Sequence, residues 1–437
     1  MSALWHPFAD MSAVAGNELV IERGEGVHVW DADGRRYLDG ASSLWYANVG
    51  HGRREIAEAI ASQLRRLETF HVFGDASNAP AAELAQRLAA LAPRPGSKVF
   101  LTSGGGDSIE TACKLARAFH HAQGDPERQH LVSRDGGYHG THGIGTSILG
   151  LPYRDQFGPL VERSSRVPWD SLDALEQELE RVGPDTVAAF VYEPVIGSGG
   201  VRVPPPGYLE GAQELCRRHG ILTIADVVIN GFGRLGSWLG VERFGLEPDL
   251  IVFAKGVTSG YLPLGGVIVS PAVAEPFWDG SGRTFAHGAT YSGHATCCAA
   301  ALANLDLLAR DGLVTRAATL EQPFHDRLRG LERHALVGEV RGGVGLMAAV
   351  ALAPALVAED PGAPARFGRL ARDAGLLTRG LADGLAVAPP LVVEPHDVDA
   401  MVDALGTALD ALAATPDGRG TPRGPAGAAT ASRDARP

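Results

Sequence analysis

The sequence predicts an α/β protein built around a mostly parallel sheet. From about residue 80, segments of about ten to fifteen residues with helical periodicity alternate with short apolar runs. Gly, Pro or Asp bound these runs, as is typical of buried strands in a parallel sheet. The runs are Lys98–Thr102, Gln129–Ser133, Thr186–Tyr192, Ile221–Ala225, Leu250–Phe253 and Gly266–Val269.

The first seventy residues have a different pattern. They begin with an extended arm, which short strands at Val27–Trp30 and Tyr37–Asp39 follow. The D-x-D-G stretch between these strands indicates a hairpin turn. A helix is predicted at about Arg54–Leu67.

After a long helix near Thr296–Leu308, short strands alternate with helices up to about Ala414. The predicted strands are Val337–Arg341, Leu346–Val350 and Leu391–Val393. We expect this region to form a smaller α+β domain that the N-terminal arm completes.

The remaining residues, rich in Pro, Gly and Ala, show no periodic apolar face and are expected to be disordered. We expect residues 1–70 to form the arm and part of the small domain, and residues 71–310 to form the large domain. Residues 311–415 would form the rest of the small domain, and residues 416–437 would form the tail.

Composition excludes several classes of protein. The net charge of −12 offers no basic surface for nucleic acid or anionic lipid. Neither a membrane span nor a signal peptide is predicted, because no long uninterrupted apolar stretch occurs and MSALWHPFAD lacks a basic segment before an apolar one. The four cysteines form no C-x-x-C pair. A soluble protein of the reducing cytoplasm is expected.

Lysine is rare in this chain. Of the 39 basic residues only Lys98, Lys114 and Lys255 are lysines, so only three side chains can supply a neutral amine. Lys255 follows the apolar run LIVFA in a Gly-rich loop, where partial desolvation would favour the neutral nucleophile that imine formation requires. A solvated surface lysine is the alternative.

Two further segments suggest a ligand site. Asp226 ends the apolar run ILTIAD, at the edge where open α/β sheets bind ligands, and a buried carboxylate there requires a positive partner. A cap of the following turn is the alternative. In FLTSGGGDSIETACKLARAF, three glycines connect a strand to a helix, and their open backbone amides suit a phosphate.

Taken together, these segments resemble the class III (ω-type) aminotransferases, which are pyridoxal 5′-phosphate (PLP) enzymes of fold type I. The matching stretches run in the family's order along nearly the whole chain: HPFADM, SLWYANVGHGR, SGGGDSIETACKLAR, GGYHG, YEPVIGSGGVRVPPPGYL, DVVINGFGR, AKGVTSGYLPLGGV, HGATYSGHATCCAAALANLDLL and LLTRGLADGLAVAPPL. The resemblance implies a large domain with a mostly parallel seven-stranded sheet and a smaller α+β domain.

The resemblance also implies the roles of individual residues. Lys255 would hold PLP as a Schiff base and then act as general acid–base, while Asp226 would keep the pyridine nitrogen protonated. The ring would lie between Tyr138 and Val228. The backbone amides of Gly105 and Gly106 would bind the phosphate, and the carboxylate of Glu193 would lie near the cofactor. In a homodimer, Thr290 would reach the cofactor of the neighbouring subunit.

The chain departs from the family pattern at three places. The usual Ser-Gly-Ser-Glu is replaced by Gly104-Gly105-Gly106-Asp107, so a hydroxyl expected on the phosphate is absent. The hydrogen bond that this hydroxyl would make to the phosphate is worth about 1.5–3 kcal/mol. Ser103 or Ser108 is a candidate replacement. The usual Asp-Glu-Val has Val227 in place of the glutamate, and Ala289 stands where an aromatic residue is common.

The expected reaction is transfer of an amino group between an amine or ω-amino acid and a 2-oxo acid, in a ping-pong sequence. By resemblance, Arg379 would grip the substrate carboxylate, although a surface arginine is the alternative. Trp45, Tyr46 and Tyr153 match aromatic pocket positions, with ordinary core packing as the alternative for Trp45. Two other reactions stay open: amination of a carbonyl on a peptide or natural-product intermediate, and PLP-dependent mutase or decarboxylase chemistry.

Overall fold

The computed structural model describes residues 3–414. The predicted tail, 416–437, lies outside these residues, as does the last residue of the predicted segment 311–415. Between residues 3 and 414, no helix is both long and apolar enough to cross a membrane.

The strands of the described residues are β1 (Ile21–Glu25), β2 (His28–Asp31), β3 (Arg36–Asp39), β4 (Lys98–Thr102), β5 (His130–Arg134), β6 (Ser164–Val167), β7 (Val187–Tyr192), β8 (Leu222–Asp226), β9 (Leu250–Phe253), β10 (Gly265–Val269), β11 (Val337–Gly342), β12 (Ala348–Leu352), β13 (Leu376–Leu377), β14 (Arg379–Gly380) and β15 (Gly384–Val387).

The α-helices of the same residues are α1 (Met11–Val14), α2 (Ser42–Trp45), α3 (Arg54–Arg66), α4 (Ala79–Leu91), α5 (Gly105–Ala122), α6 (Gly143–Ser147), α7 (Leu172–Val182), α8 (Tyr208–Arg218), α9 (Pro271–Ala274), α10 (Ala295–Arg310), α11 (Leu313–Arg329), α12 (Pro354–Glu359), α13 (Ala363–Asp373) and α14 (Pro395–Ala413).

The largest sheet has seven strands in the order β4-β10-β9-β8-β7-β5-β6. The pairs from β9 to β6 are parallel, whereas β10 runs antiparallel to both of its neighbours. Two clusters of buried apolar side chains pack against this sheet. Burial on both faces explains why its central strands are continuous apolar runs. The prediction of a mostly parallel seven-stranded sheet is therefore confirmed.

Two smaller sheets accompany it. The first has the order β1-β2-β3-β13, with β2 and β3 forming the hairpin that the D-x-D-G stretch predicts. Its last strand, β13, pairs in parallel with β3, so strands from the two ends of the chain share one sheet. The second sheet is antiparallel, with the order β11-β12-β15-β14.

Buried Arg234 connects the N-terminal arm to both other regions. Its guanidinium is fully removed from solvent. It donates to the backbone carbonyls of Leu346 and Pro389, and to the side-chain oxygens of Ser42 and Asn48. Burial lowers the pKa of this guanidinium to about 9. The hydrogen bonds offset the desolvation of a group that would otherwise be costly to bury.

One strand prediction is wrong, and one strand of the large sheet was missed. Leu391–Val393 is a turn, and the strand in that region is β15. Pro389 and Pro390 precede the turn, and a proline has no N–H to donate to a ladder. In addition, β6 was not predicted, because its residues, SSRV, do not form an apolar run. It pairs only with β5, at the edge of the sheet.

Candidate active site

One cavity of about 460 Å³ lies where β4, β7, β8 and β9 end. In an open α/β sheet this edge is the usual place for a ligand, and the volume is typical of a small-molecule site. Eight of the residues predicted for the site line it: Tyr46, Gly105, Gly106, Tyr138, Glu193, Asp226, Val228 and Lys255.

Lys255 enters the cavity from a strained turn after β9. Its φ of 46° lies in the left-handed region that non-glycine residues rarely adopt. Such strain persists only where the surrounding structure holds it, and it is common at functional sites. Burial lowers the pKa of the amine below its usual value, against the opposing effect of Asp226 and Glu193, and the positive charge of Arg379 lowers it further. The lysine is therefore biased towards its neutral, nucleophilic form.

Asp226 is the last residue of β8 and is 3% exposed. Its Oδ1 accepts a hydrogen bond from the backbone N–H of Val228 at 3.1 Å, and its Oδ2 lies 2.8 Å from Nδ1 of His139. Sequence reasoning missed His139, although this histidine directly follows Tyr138 in GGYHG. The contact fixes the direction of a carboxylate that faces the cavity.

Glu193 holds the backbone around Tyr138. Its Oε1 accepts a hydrogen bond from the N–H of Tyr138, and its Oε2 accepts one from the N–H of Gly197, both at 2.9 Å. Burial, together with the nearby charge of Asp226, raises the pKa of the Glu193 carboxyl. The two N–H groups partly offset the desolvation of this carboxyl.

The glycine segment forms the opposite end of the cavity. Helix α5 begins at Gly105, and a Cβ built on that residue would lie only 3.2 Å from Cγ1 of Val228. Over Gly104 the space is open, with no atom within 4 Å of a built Cβ. The unobstructed amides at a helix start provide an anion site.

Of the two serines considered as replacements for the missing hydroxyl, Ser103 lines the cavity. Ser108 is fully buried, and its Oγ bonds to the carbonyl of Gly104 and to Oγ1 of Thr102, both at 2.7 Å. Its hydroxyl is therefore already engaged inside the protein. Val227 is also fully buried and packs in the main apolar core, so its change from a carboxylate does not alter the lining of the cavity.

The other predicted site residues lie outside the lining of this cavity. Trp45 is 2% exposed and packs in a core cluster. Tyr153 is at the surface, with its ring centroid 5.1 Å from that of Phe8. Arg379, in β14, is half-buried, and Thr290 is exposed.

The donor set fits PLP. The strained lysine matches the aldehyde of the cofactor, and the carboxylate at the end of β8 matches a protonated ring nitrogen. The start of α5 matches the phosphate. Tyr138 and Val228 supply flat and branched apolar surfaces in the same cavity. All of these groups line one space.

Comparison with known proteins agrees with this geometry. A model of the class III aminotransferase family matches residues 11–409. The putrescine–pyruvate aminotransferase of Pseudomonas aeruginosa is 34% identical over 418 residues, covering 90% of this chain and 91% of that enzyme. The diaminobutyrate–2-oxoglutarate transaminase of Halomonas elongata is 38% identical over 414 residues, covering 88% of each chain.

Solved structures show the same similarity. An (S)-enantioselective ω-transaminase from Thermomicrobium roseum superimposes with a TM-score of 0.90 at 39% identity, covering 93% of this chain and 96% of that one. An amine transaminase from an uncultivated Pseudomonas species, solved in its PLP-bound form, has a TM-score of 0.90 at 37% identity, with coverage of 94% and 99%. This chain therefore belongs to the class III aminotransferases and is a PLP-dependent enzyme of fold type I.

Proposed function

We propose that this enzyme transfers an amino group from an amine or ω-amino acid to a 2-oxo acid such as pyruvate. The observation that carries the proposal is the state of Arg379. Among residues 3–414, no hydrogen bond or ion pair engages its guanidinium. Its charge nevertheless acts on two residues of the cavity: it adds to the fall that burial causes in the pKa of Lys255, and it opposes the rise that burial causes in the pKa of Tyr138. An unpaired guanidinium near the cavity suits a substrate carboxylate, which it can bind in bidentate fashion.

The lining of the cavity supports an amine with an apolar body. Apolar side chains form much of its wall: those of Ile109, Val228, Ile229, Leu262 and Leu264. The enzymes from P. aeruginosa and H. elongata act, by their names, on a diamine or a diamino acid and on pyruvate or 2-oxoglutarate. A donor amine and a 2-oxo acid are therefore the substrate classes that we assign.

Bound PLP supplies an electron-accepting ring that makes the proton on the substrate's Cα acidic. In the proposal, Lys255 Nζ first holds the cofactor and then, once freed, takes this proton and returns it as a general acid–base. Asp226, oriented by His139, holds a proton on the ring nitrogen. Tyr138 and Val228 confine the ring, and the amides of Gly105 and Gly106 bind the phosphate.

We also propose a homodimer with Thr290 near the partner's cofactor. Thr290 lies in an exposed loop beside a second cavity of about 790 Å³, whose apolar lining includes Val72, Phe73 and Phe285. Phe73 is 50% exposed. Apolar surface of this kind is characteristic of a protein interface. If sites are shared, a mixture of Lys255→Ala and Thr290→Ala chains regains activity that neither homodimer has.

A cytoplasmic location is proposed because the four cysteines, all in the described residues, are free and buried. A larger carbonyl acceptor has less support. Val227, one of the departures from the family pattern, packs in the core and does not line the cavity.

Half-reactions of the purified holoenzyme test the proposed substrates. Putrescine, β-alanine and 1-phenylethylamine are each added without acceptor, and the visible absorbance of the lysine-bound cofactor is followed. A donor should bleach this absorbance, and pyruvate should restore it. Product formed from an amino acid without any 2-oxo acid would instead indicate a mutase or decarboxylase. If no amine changes the spectrum, the proposed donor class is wrong.

A further inference from the structure

Gly106 leaves the phosphate end of the cavity without a hydroxyl that the family pattern supplies there. Ser108 cannot replace it, because its Oγ is buried in hydrogen bonds to Gly104 and Thr102. Ser103 lines the cavity and stays a candidate, but a side chain from another element already lies against Gly106.

His142 lies against Gly106, which lines the cavity, although His142 itself is not part of that lining. A Cβ built on Gly106 would lie 3.1 Å from Cε1 of His142 and 3.2 Å from both ring nitrogens. Contacts this short mean that the imidazole lies over Gly106 in the space that a larger side chain would enter. The histidine ring and the missing serine side chain are thus alternatives for one position.

The loop that carries His142 is packed firmly against α5. A Cβ on Gly140 would lie 3.0 Å from Cα of Gly106, so these backbones are nearly in contact. Glu110 of α5 also accepts a hydrogen bond from the N–H of Ile144 at the start of α6. The backbone that carries His142 is therefore held against α5.

The charged groups near His142 include the carboxylates of Asp107 and Glu110, so an anion at this point needs a donor that offsets them. Its Nδ1 lies 3.4 Å from Oδ1 of Asp107, which leaves Nε2 without a partner in the described residues. Lys114, farther along α5, is paired with Glu110 at 3.5 Å. No hydrogen bond joins His142 to Asp107 in the described residues, so Nε2 of the imidazole can carry the ring's N–H and donate it to a phosphate oxygen.

We propose that His142 is a ligand of the cofactor's phosphate and takes the place of the absent serine hydroxyl. The role concerns binding of PLP and not the chemical steps. Gly106 is then required because any side chain there would displace the imidazole.

Cofactor titrations of the apoenzyme test this assignment. PLP and pyridoxal, which has no phosphate, are each titrated into native protein and into His142→Ala. We expect His142→Ala to bind PLP about 10- to 100-fold more weakly, the effect of one charge-assisted hydrogen bond, with pyridoxal affinity unchanged. The ³¹P resonance of bound PLP should also shift. His121→Ala, at the exposed far end of α5, is the matched control and should change neither affinity.

A rescue experiment separates this role from a structural one. Gly106→Ser in the native background should weaken PLP binding, because its Cβ meets the His142 ring. The same substitution combined with His142→Ala should bind PLP more tightly than His142→Ala alone, since the hydroxyl returns. His142→Asn provides a second, smaller replacement. The proposal is overturned if both His142 variants lose affinity for PLP and for pyridoxal equally, or if they lose no affinity for PLP. It is also overturned if the double variant binds PLP no more tightly than His142→Ala.

Discussion

Nδ1 of His139 lies 2.8 Å from Oδ2 of Asp226, with both side chains buried. The second carboxylate oxygen is held by the N–H of Val228. The carboxylate, which lines the cavity, therefore has its direction fixed before any ligand arrives. Preorganised charge of this kind needs no rearrangement during the reaction, which is why it is effective in catalysis.

This pair leads to the first prediction. Asp226→Asn should slow the half-reaction by about 10²- to 10³-fold, because the ring proton loses its charged partner. His139→Ala should slow it by about 10- to 100-fold, through loss of a hydrogen bond to a charged group. Stopped-flow measurement of a single turnover with a saturating amine reports both effects.

His139→Asn is the matched variant, since its amide nitrogen can take the place of Nδ1. We expect it to regain much of the rate that His139→Ala loses, and to restore the absorbance maximum of the bound cofactor. If Asn is no better than Ala, the histidine does not act through this hydrogen bond.

The second prediction concerns covalent attachment. Borohydride reduction of the holoenzyme should fix PLP on the peptide that contains Lys255, because the desolvated amine there is biased towards its neutral form. Lys255→Ala should bind PLP without any reducible bond and lose at least about 10³-fold in turnover, since the group that forms the bond also moves the proton. Mass spectrometry of the digested protein measures the attachment.

The chain offers unusually clear controls, because Lys98 and Lys114 are the other two lysines of the sequence. Lys98→Ala and Lys114→Ala should keep full labelling at Lys255. Label that persists in Lys255→Ala would assign the cofactor to one of them instead.

Sequence reasoning succeeded where one physical cause acts along one segment. The strands of the large sheet were recognisable because burial on both faces makes them apolar. Lys255 and Asp226 were chosen because each lies at the end of such a run; both line the cavity, and their roles stay predictions. His139 was missed because its partner is 87 residues away, a pairing that no local pattern contains. Trp45 shows the same limit, since only the folded structure reveals that it packs in a core cluster and not against the cavity.

The third prediction tests the carboxylate site. Arg379→Ala should raise KM for pyruvate by about 10- to 100-fold, because a bidentate, charge-assisted contact is lost. The half-reaction with 1-phenylethylamine, which has no carboxylate, should change little. Arg369→Ala, an exposed arginine of α13, serves as the control and should leave both values unchanged. Equal effects on pyruvate and on the amine would mean that Arg379 supports the cavity in general and does not recognise the carboxylate.

The fourth prediction follows from the lowered pKa of Lys255 in the apoenzyme, where burial disfavours the charged amine more than Asp226 and Glu193 favour it. Between this lowered pKa and the ordinary lysine value of about 10.4, the unfolded chain binds more protons than the folded one. The native apoenzyme should therefore gain stability as pH rises through that window.

Lys255→Met removes the titrating group and keeps a side chain of similar length. At neutral pH the variant apoenzyme should be more stable than the native one, by on the order of 1 kcal/mol. The difference should shrink as pH rises through about 10.4 and vanish above it, because there the amine of the native protein is neutral in both the folded and the unfolded state. Urea unfolding at a series of pH values measures this. Lys98→Met, at an exposed position, should show no such trend, and a constant difference for Lys255→Met would mean that packing, not charge, separates the two proteins.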